Sequence, residues 1–152
     1  MTTDVPPAAF LHLVVGYDGS PPAVRALDAA VRLLQGRAGR IDVIYVAHLS
    51  SLVMLSADAI AEVESDFGEI EQDLRAQAAA QLDGRVKDWD LQRRQGLIAE
   101  ELTAAATSIQ EAHASDVVVI VVGSSSHASH RVIGSVAVSL ARHSPVPVVI
   151  VP

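Results

Sequence analysis

The 152-residue chain contains no cysteine. That absence excludes disulfides, iron–sulfur clusters and thiolate zinc sites, and it fits a reducing interior, so the expected compartment is the cytoplasm. Aromatic residues make up only 3%, so a core must be filled by branched aliphatics, which suits buried strands covered by Ala- and Leu-rich helices. Positive charge is also short: 11 Lys and Arg stand against 18 Asp and Glu, for a net charge of −7. Nucleic acid and anionic membrane both demand a basic footprint, so neither is expected as a partner. A single bound nucleotide escapes that argument, because local backbone donors decide its binding. The longest apolar run, Val117–Val122, is far too short to cross a bilayer. Residues 1–9 hold Asp4 and two prolines, lack the basic start and apolar centre of a secretory signal, and read as a disordered N-terminal tail.

What is present is an alternation of strand and helix signals over residues 10–152, read as a single domain. Residues 10–15 form a first strand, broken by Gly16-Tyr17-Asp18-Gly19. Ser20-Pro21-Pro22 opens a helix, with Ser20 as N-cap and proline tolerated in the first turn. Val24, Leu27, Val31 and Leu34 fall at helical spacing before Gly36 and Gly39. Ile41–Ala47 is a second strand, and the apolar segment Leu49–Leu55 has no assigned state. From Ser56 a long helix carries the stripe Ile60, Val63, Phe67, Ile70, Leu74, with its acidic residues expected on the solvated face. Trp89–Arg94 is a polar third strand suited to a sheet edge. A helix after Gly96 turns Ile98, Leu102 and Ile109 inward. Val117–Val122 has the continuous apolar character of a strand buried on both faces. A helix from Gly134-Ser135 to about Arg142 and a strand Val148–Val151 complete the chain. Strands separated by helices imply right-handed parallel crossovers and a doubly wound α/β sheet with helices on both faces.

In such a sheet ligands bind beyond the C-terminal strand ends, at the point where the winding reverses. Two segments carry suitable residues: Gly16 to Ser20 after strand one, and Gly123 to Val136 after the buried strand. In the second, Gly123 permits a sharp backbone turn, and Gly134-Ser135 places unpaired N–H groups and a positive dipole at a helix start. Hydroxyls of Ser124, Ser126 and Ser135, with Arg131, are candidate phosphate donors. On spacing alone the segment reads first as a polar loop whose serines cap the next helix.

Val14-Val15-Gly16-Tyr17-Asp18-Gly19-Ser20, the Gly123 loop, Gly134-Ser135-Val136 and Pro145-Val146-Pro147-Val148-Val149-Ile150-Val151, in this order, resemble the beginning and end of a universal stress protein. The second strand and Gly96–Leu102 match in order and spacing too, so the resemblance spans nearly the whole chain. It implies a Rossmann-like, adenine nucleotide alpha hydrolase-like fold, a five-stranded parallel sheet of order 3-2-1-4-5. It also implies a homodimeric regulator of the stress response that binds ATP, with Mg2+, or another adenine nucleotide between strands 1 and 4. By the same resemblance, Asp18, with Gly16 beside it, and Val46 hold the adenine end. Val122, Gly123, Ser126, Gly134, Ser135 and Val136 belong to the ribose and phosphate loop. The homodimer would form through Val148–Val151, a strand whose leading prolines suit a sheet edge.

Two departures from the family pattern stand out. Ser126 occupies the position of the loop's second glycine, and seven residues, 127–133, stand where the pattern has nine. The alternative reading is therefore a family member that has lost the nucleotide and acts as a dimeric protein-interaction module, through its dimer surface or Leu49–Leu55.

Other chemistries find less support. His127 and His130 are a weak metal signal without a carboxylate nearby in sequence, and His12, His48, His113 and His143 are scattered and suggest no site. Lys87 is the sole lysine and sits wrongly for a phosphoacceptor receiver domain. There is no Walker sequence, no G-x-G-x-x-G after strand one and no G-x-S-x-G elbow, so catalysis is not expected.

Overall fold

A computed structural model describes residues 8–48, 56–124 and 134–152. The elements are β1 (Leu11–Gly16), α1 (Pro21–Leu34), β2 (Gly39–Ala47), α2 (Ala57–Leu82), β3 (Trp89–Gln95), α3 (Ile98–Ala112), β4 (Val117–Gly123), α4 (Ser135–His143) and β5 (Val148–Val151). All five strands are parallel, in the order β3-β2-β1-β4-β5, as the family resemblance implies. The winding reverses between β1 and β4, whose register pairs Leu11 with Val117 and Val15 with Val121. Both strands therefore end at the same rim.

Alternation along β1 explains the two layers of core. Leu13 and Val15 face α1 and α2, where they meet Leu27, Ala30 and Leu82. Val14 faces the other way, against Leu102, Ala106 and Leu140 of α3 and α4. Each fully buried Leu or Val contributes about 1.5–3 kcal/mol of transfer free energy. Helix starts follow the local chemistry: Ser20 Oγ accepts from Ala23 N at 3.4 Å, and Ser56 Oγ accepts from Ala59 N at 3.3 Å.

Three elements depart from the expectation. β2 begins at Gly39, two residues early, because its N-terminal end pairs with Leu11. In α2 only Leu74 of the expected stripe is buried, while Ile60 is 42% and Ile70 41% exposed. The first half of this helix is held by polar contacts instead. Glu64 accepts hydrogen bonds from Arg93 Nη2 at 2.9 Å and Gln95 Nε2 at 2.7 Å, and the Arg93 guanidinium lies 5.9 Å from the Phe67 ring centre. Glu64 thus belongs to the β3 contact and not to a purely solvated face. In α3, Ile98 is 38% exposed, because it borders the cleft described below. The N-terminal tail, except for Ala8 and Ala9, and Leu49–Leu55 lie outside the described residues. No helix among the described residues is long and apolar enough to cross a membrane.

Candidate functional site

Beyond the C-terminal ends of β1 and β4 lies a cavity of about 340 Å³. That volume falls within the range of roughly 300–1,000 Å³ usual for small-ligand sites. Gly16, Asp18, Val46, Val122, Gly123, Gly134, Ser135 and Val136 all line it. Ser126 and Arg131 lie outside the described residues.

Each wall has a local origin. At the end of β1, Asp18 Oδ1 accepts from Ser20 N at 3.0 Å, a turn that presents the exposed carboxylate at the mouth. The apolar wall comes from the end of β2 and from α3: Ile44 and Val46 share a strand face, and Ile98 and Leu102 are one helical turn apart. Gly16 allows this wall to close, since a Cβ there would lie 3.1 Å from Leu102 Cδ1 and 3.3 Å from Val122 Cγ1.

Gly123 is needed for a different reason from the one its sequence context suggests. It sits in extended β4 and is absent from the glycines with positive φ. A Cβ there would collide with the Pro22 carbonyl oxygen and lie 2.6 Å from Pro22 Cβ, so the glycine admits the first turn of α1 against β4. Opposite, α4 starts at Gly134 with no side-chain cap, in contrast to α1 and α2. Ser135, Val136 and Ala137 of its first turn line the cavity, and N–H groups at such a helix start suit an anionic acceptor.

The electrostatics centre on Asp18. Burial first, and the Asp18 charge second, push the Tyr17 phenol above its ordinary 10.0. Tyr17 is held beneath the turn and is within 3.4 Å of Gln81 Oε1, so it stays neutral and fixes the loop. Sequence reasoning does not single out Ile44, Ile98, Leu102, Tyr17 and Pro22 as site residues. Ile44 is nonetheless accessible to it, lying two positions before Val46 on the same strand face.

The sequence model of the universal stress protein family matches residues 9–152. The chain belongs to the universal stress protein family. A comparison with curated protein sequences finds no match. Solved structures of the family share the fold. Universal stress protein UspA from Lactobacillus plantarum is 19% identical, with a TM-score of 0.66 over 95% of this chain and 99% of that one. A universal stress protein in complex with cAMP is 23% identical, with a TM-score of 0.61 over 95% and 99%. A family protein from Arabidopsis thaliana with AMP bound is 11% identical, with a TM-score of 0.63 over 93% and 90%.

Proposed function

We propose that this universal stress protein is a cytoplasmic stress-response regulator that binds an adenine nucleotide in the cleft between β1 and β4 and works by binding, not turnover. The observation that carries the reading is the convergence of Gly16, Asp18, Val46, Val122, Gly123, Gly134, Ser135 and Val136 on one cavity at the switch point of the sheet. The cavity has the two halves a nucleotide needs. Ile44, Val46 and Leu102 offer an apolar slot for a flat base beside the Asp18 carboxylate, an acceptor for an amino or hydroxyl hydrogen. Uncapped amides of α4, with Ser124 and Ser135, offer donors to ribose and phosphate oxygens. The cAMP and AMP found in two relatives support an adenine nucleotide as the ligand class. ATP is the candidate with the largest phosphate charge, and with a chain charge of −7 Mg2+ would offset repulsion as it binds.

Calorimetric titration with ATP and Mg2+, repeated with AMP and cAMP, tests this. Binding is expected for at least one of them, with Asp18→Ala and Gly134→Val each weakening it by about tenfold or more, roughly 1.4 kcal/mol. Absence of heat and of any thermal shift at millimolar nucleotide would remove the ligand and leave a dimeric interaction module. Binding indifferent to both substitutions would move the site elsewhere.

A further inference from the structure

At the opposite rim of the sheet, where the strands begin, His12 meets His113 and Asp116 from the turn before β4. His12 of β1 is 4% exposed, and its Nε2 lies 3.0 Å from Asp116 Oδ2. His113 Nδ1 lies 3.8 Å from the same oxygen. The two imidazoles stack with centroids 5.1 Å apart and planes 26° from parallel. All three ligand atoms fall within 4.8 Å of one another. A tetrahedral zinc ion with bonds of about 2.0–2.1 Å sets its ligand atoms roughly 3.3 Å apart, a spacing that the two separations from Asp116 bracket.

The backbone builds this arrangement. Asp116 N donates to His113 O at 3.0 Å, closing a turn after α3 that brings both side chains to one side. Val117 N donates to Phe10 O at 2.9 Å and ties that turn to the start of β1. Exposure rises from His12 through Asp116 to His113, with side chains 5%, 18% and 55% accessible, so the cluster meets solvent at its His113 corner.

The hydrogen bonding of His12 is also incomplete in a telling way. Its Nδ1 is buried without a partner, and so is Oδ2 of Asp42, on the same sheet face one strand away. If His12 keeps its single proton on Nε2 for Asp116, the buried Nδ1 is left as a bare acceptor. With the proton on Nδ1, Nε2 and Asp116 Oδ2 are two acceptors at 3.0 Å, an arrangement that a bound cation satisfies. A metal ion bound at Nε2 satisfies the Asp116 side of the imidazole.

We propose that His12 Nε2, His113 Nδ1 and Asp116 Oδ2 bind a divalent transition-metal ion of the zinc class, with water as the fourth ligand, clamping the α3–β4 turn to β1. Two imidazoles and a carboxylate suit zinc better than the hard, oxygen-seeking Mg2+ or Ca2+. The site is independent of the nucleotide cleft and is tested without nucleotide.

Zinc chloride titrated into the intact chain by calorimetry is expected to bind one ion per chain at micromolar concentration and to raise the melting temperature. His113→Ala, at the exposed corner, is expected to fold as wild type without zinc, to bind it at least tenfold more weakly and to lose the thermal shift. Replacing His127 and His130 together by Ala should change nothing. No binding at micromolar zinc, binding unaffected by His113→Ala, or binding abolished by the His127 and His130 replacement would each overturn the proposal.

Discussion

At Gly123 a hydrogen in place of a methyl group decides whether α1 can reach β4. The Pro22 backbone occupies the space a Cβ would fill, and backbone cannot rotate away as a side chain tip can. Gly123→Ala should therefore cost about 1–3 kcal/mol, the range for overpacking a tight contact, and should weaken nucleotide binding by displacing the cavity wall. Gly68 is the matched contrast. It lies inside α2, and a methyl group added there would meet nothing within 4 Å, so Gly68→Ala should stabilise the fold by about 0.5–1 kcal/mol through helix propensity alone. Urea unfolding of both variants checks the pair, and equal stabilities would disprove the steric account of Gly123. Gly123 also shows the reach of sequence reading. Its importance was legible from its place after an apolar run, but the reason was not, because Pro22 stands 101 positions away (123 − 22) and only the packing of α1 brings it near.

Among the elements, α2 shows where periodicity misleads. A stripe at steps of three and four predicts a buried face, yet burial begins only at Leu74. From Glu64 to Arg75 the helix lies over β3, an edge strand rich in arginine and glutamine, and binds it through ion pairs. Arg75 Nη1 meets Asp90 Oδ1 at 2.8 Å. The hydrogen bond from Arg75, working against partial burial, holds the Asp90 carboxyl below its ordinary 3.8. A carboxyl lowered in the fold stabilises above its unfolded pKa, and that stability is lost as pH falls through the folded value. Both side chains are nearly half exposed, so solvent screening limits the pair to under about 1 kcal/mol. Asp90→Asn should lower stability by that small amount near pH 7, with the gap to wild type closing as the pH drops below 3.8. Urea melts across that span check it, and a gap that persists in acid would assign the loss to packing.

For the whole molecule, the alternation of strands and helices and the rim carrying Asp18 and Gly123 are readable from local signals, turn residues after β1 and β4 and apolar runs separated by helical periods, whereas the strand order rests on the family resemblance. The opposite rim was not readable, since His12 and Asp116 are 104 residues apart and no short motif joins them. Assembly belongs to the same scale. β5 has β4 on one side and no strand on the other among the described residues. Its four residues Val148–Val151 are all only partly buried, leaving an apolar edge of the kind proteins cover. Arg25 Nε donates to Pro152 O at 3.0 Å and fixes the strand's end without covering that edge. We propose that this edge takes a second copy of the chain, the homodimer that the family resemblance implies. Sedimentation at micromolar protein should give twice the 16.0 kDa chain mass. Ile150→Lys, which places a charge on the partly buried edge strand, should shift the species to monomer while the cooperative melt persists. A wild-type monomer at that concentration, or a dimer indifferent to Ile150→Lys, would place the assembly surface elsewhere or remove it.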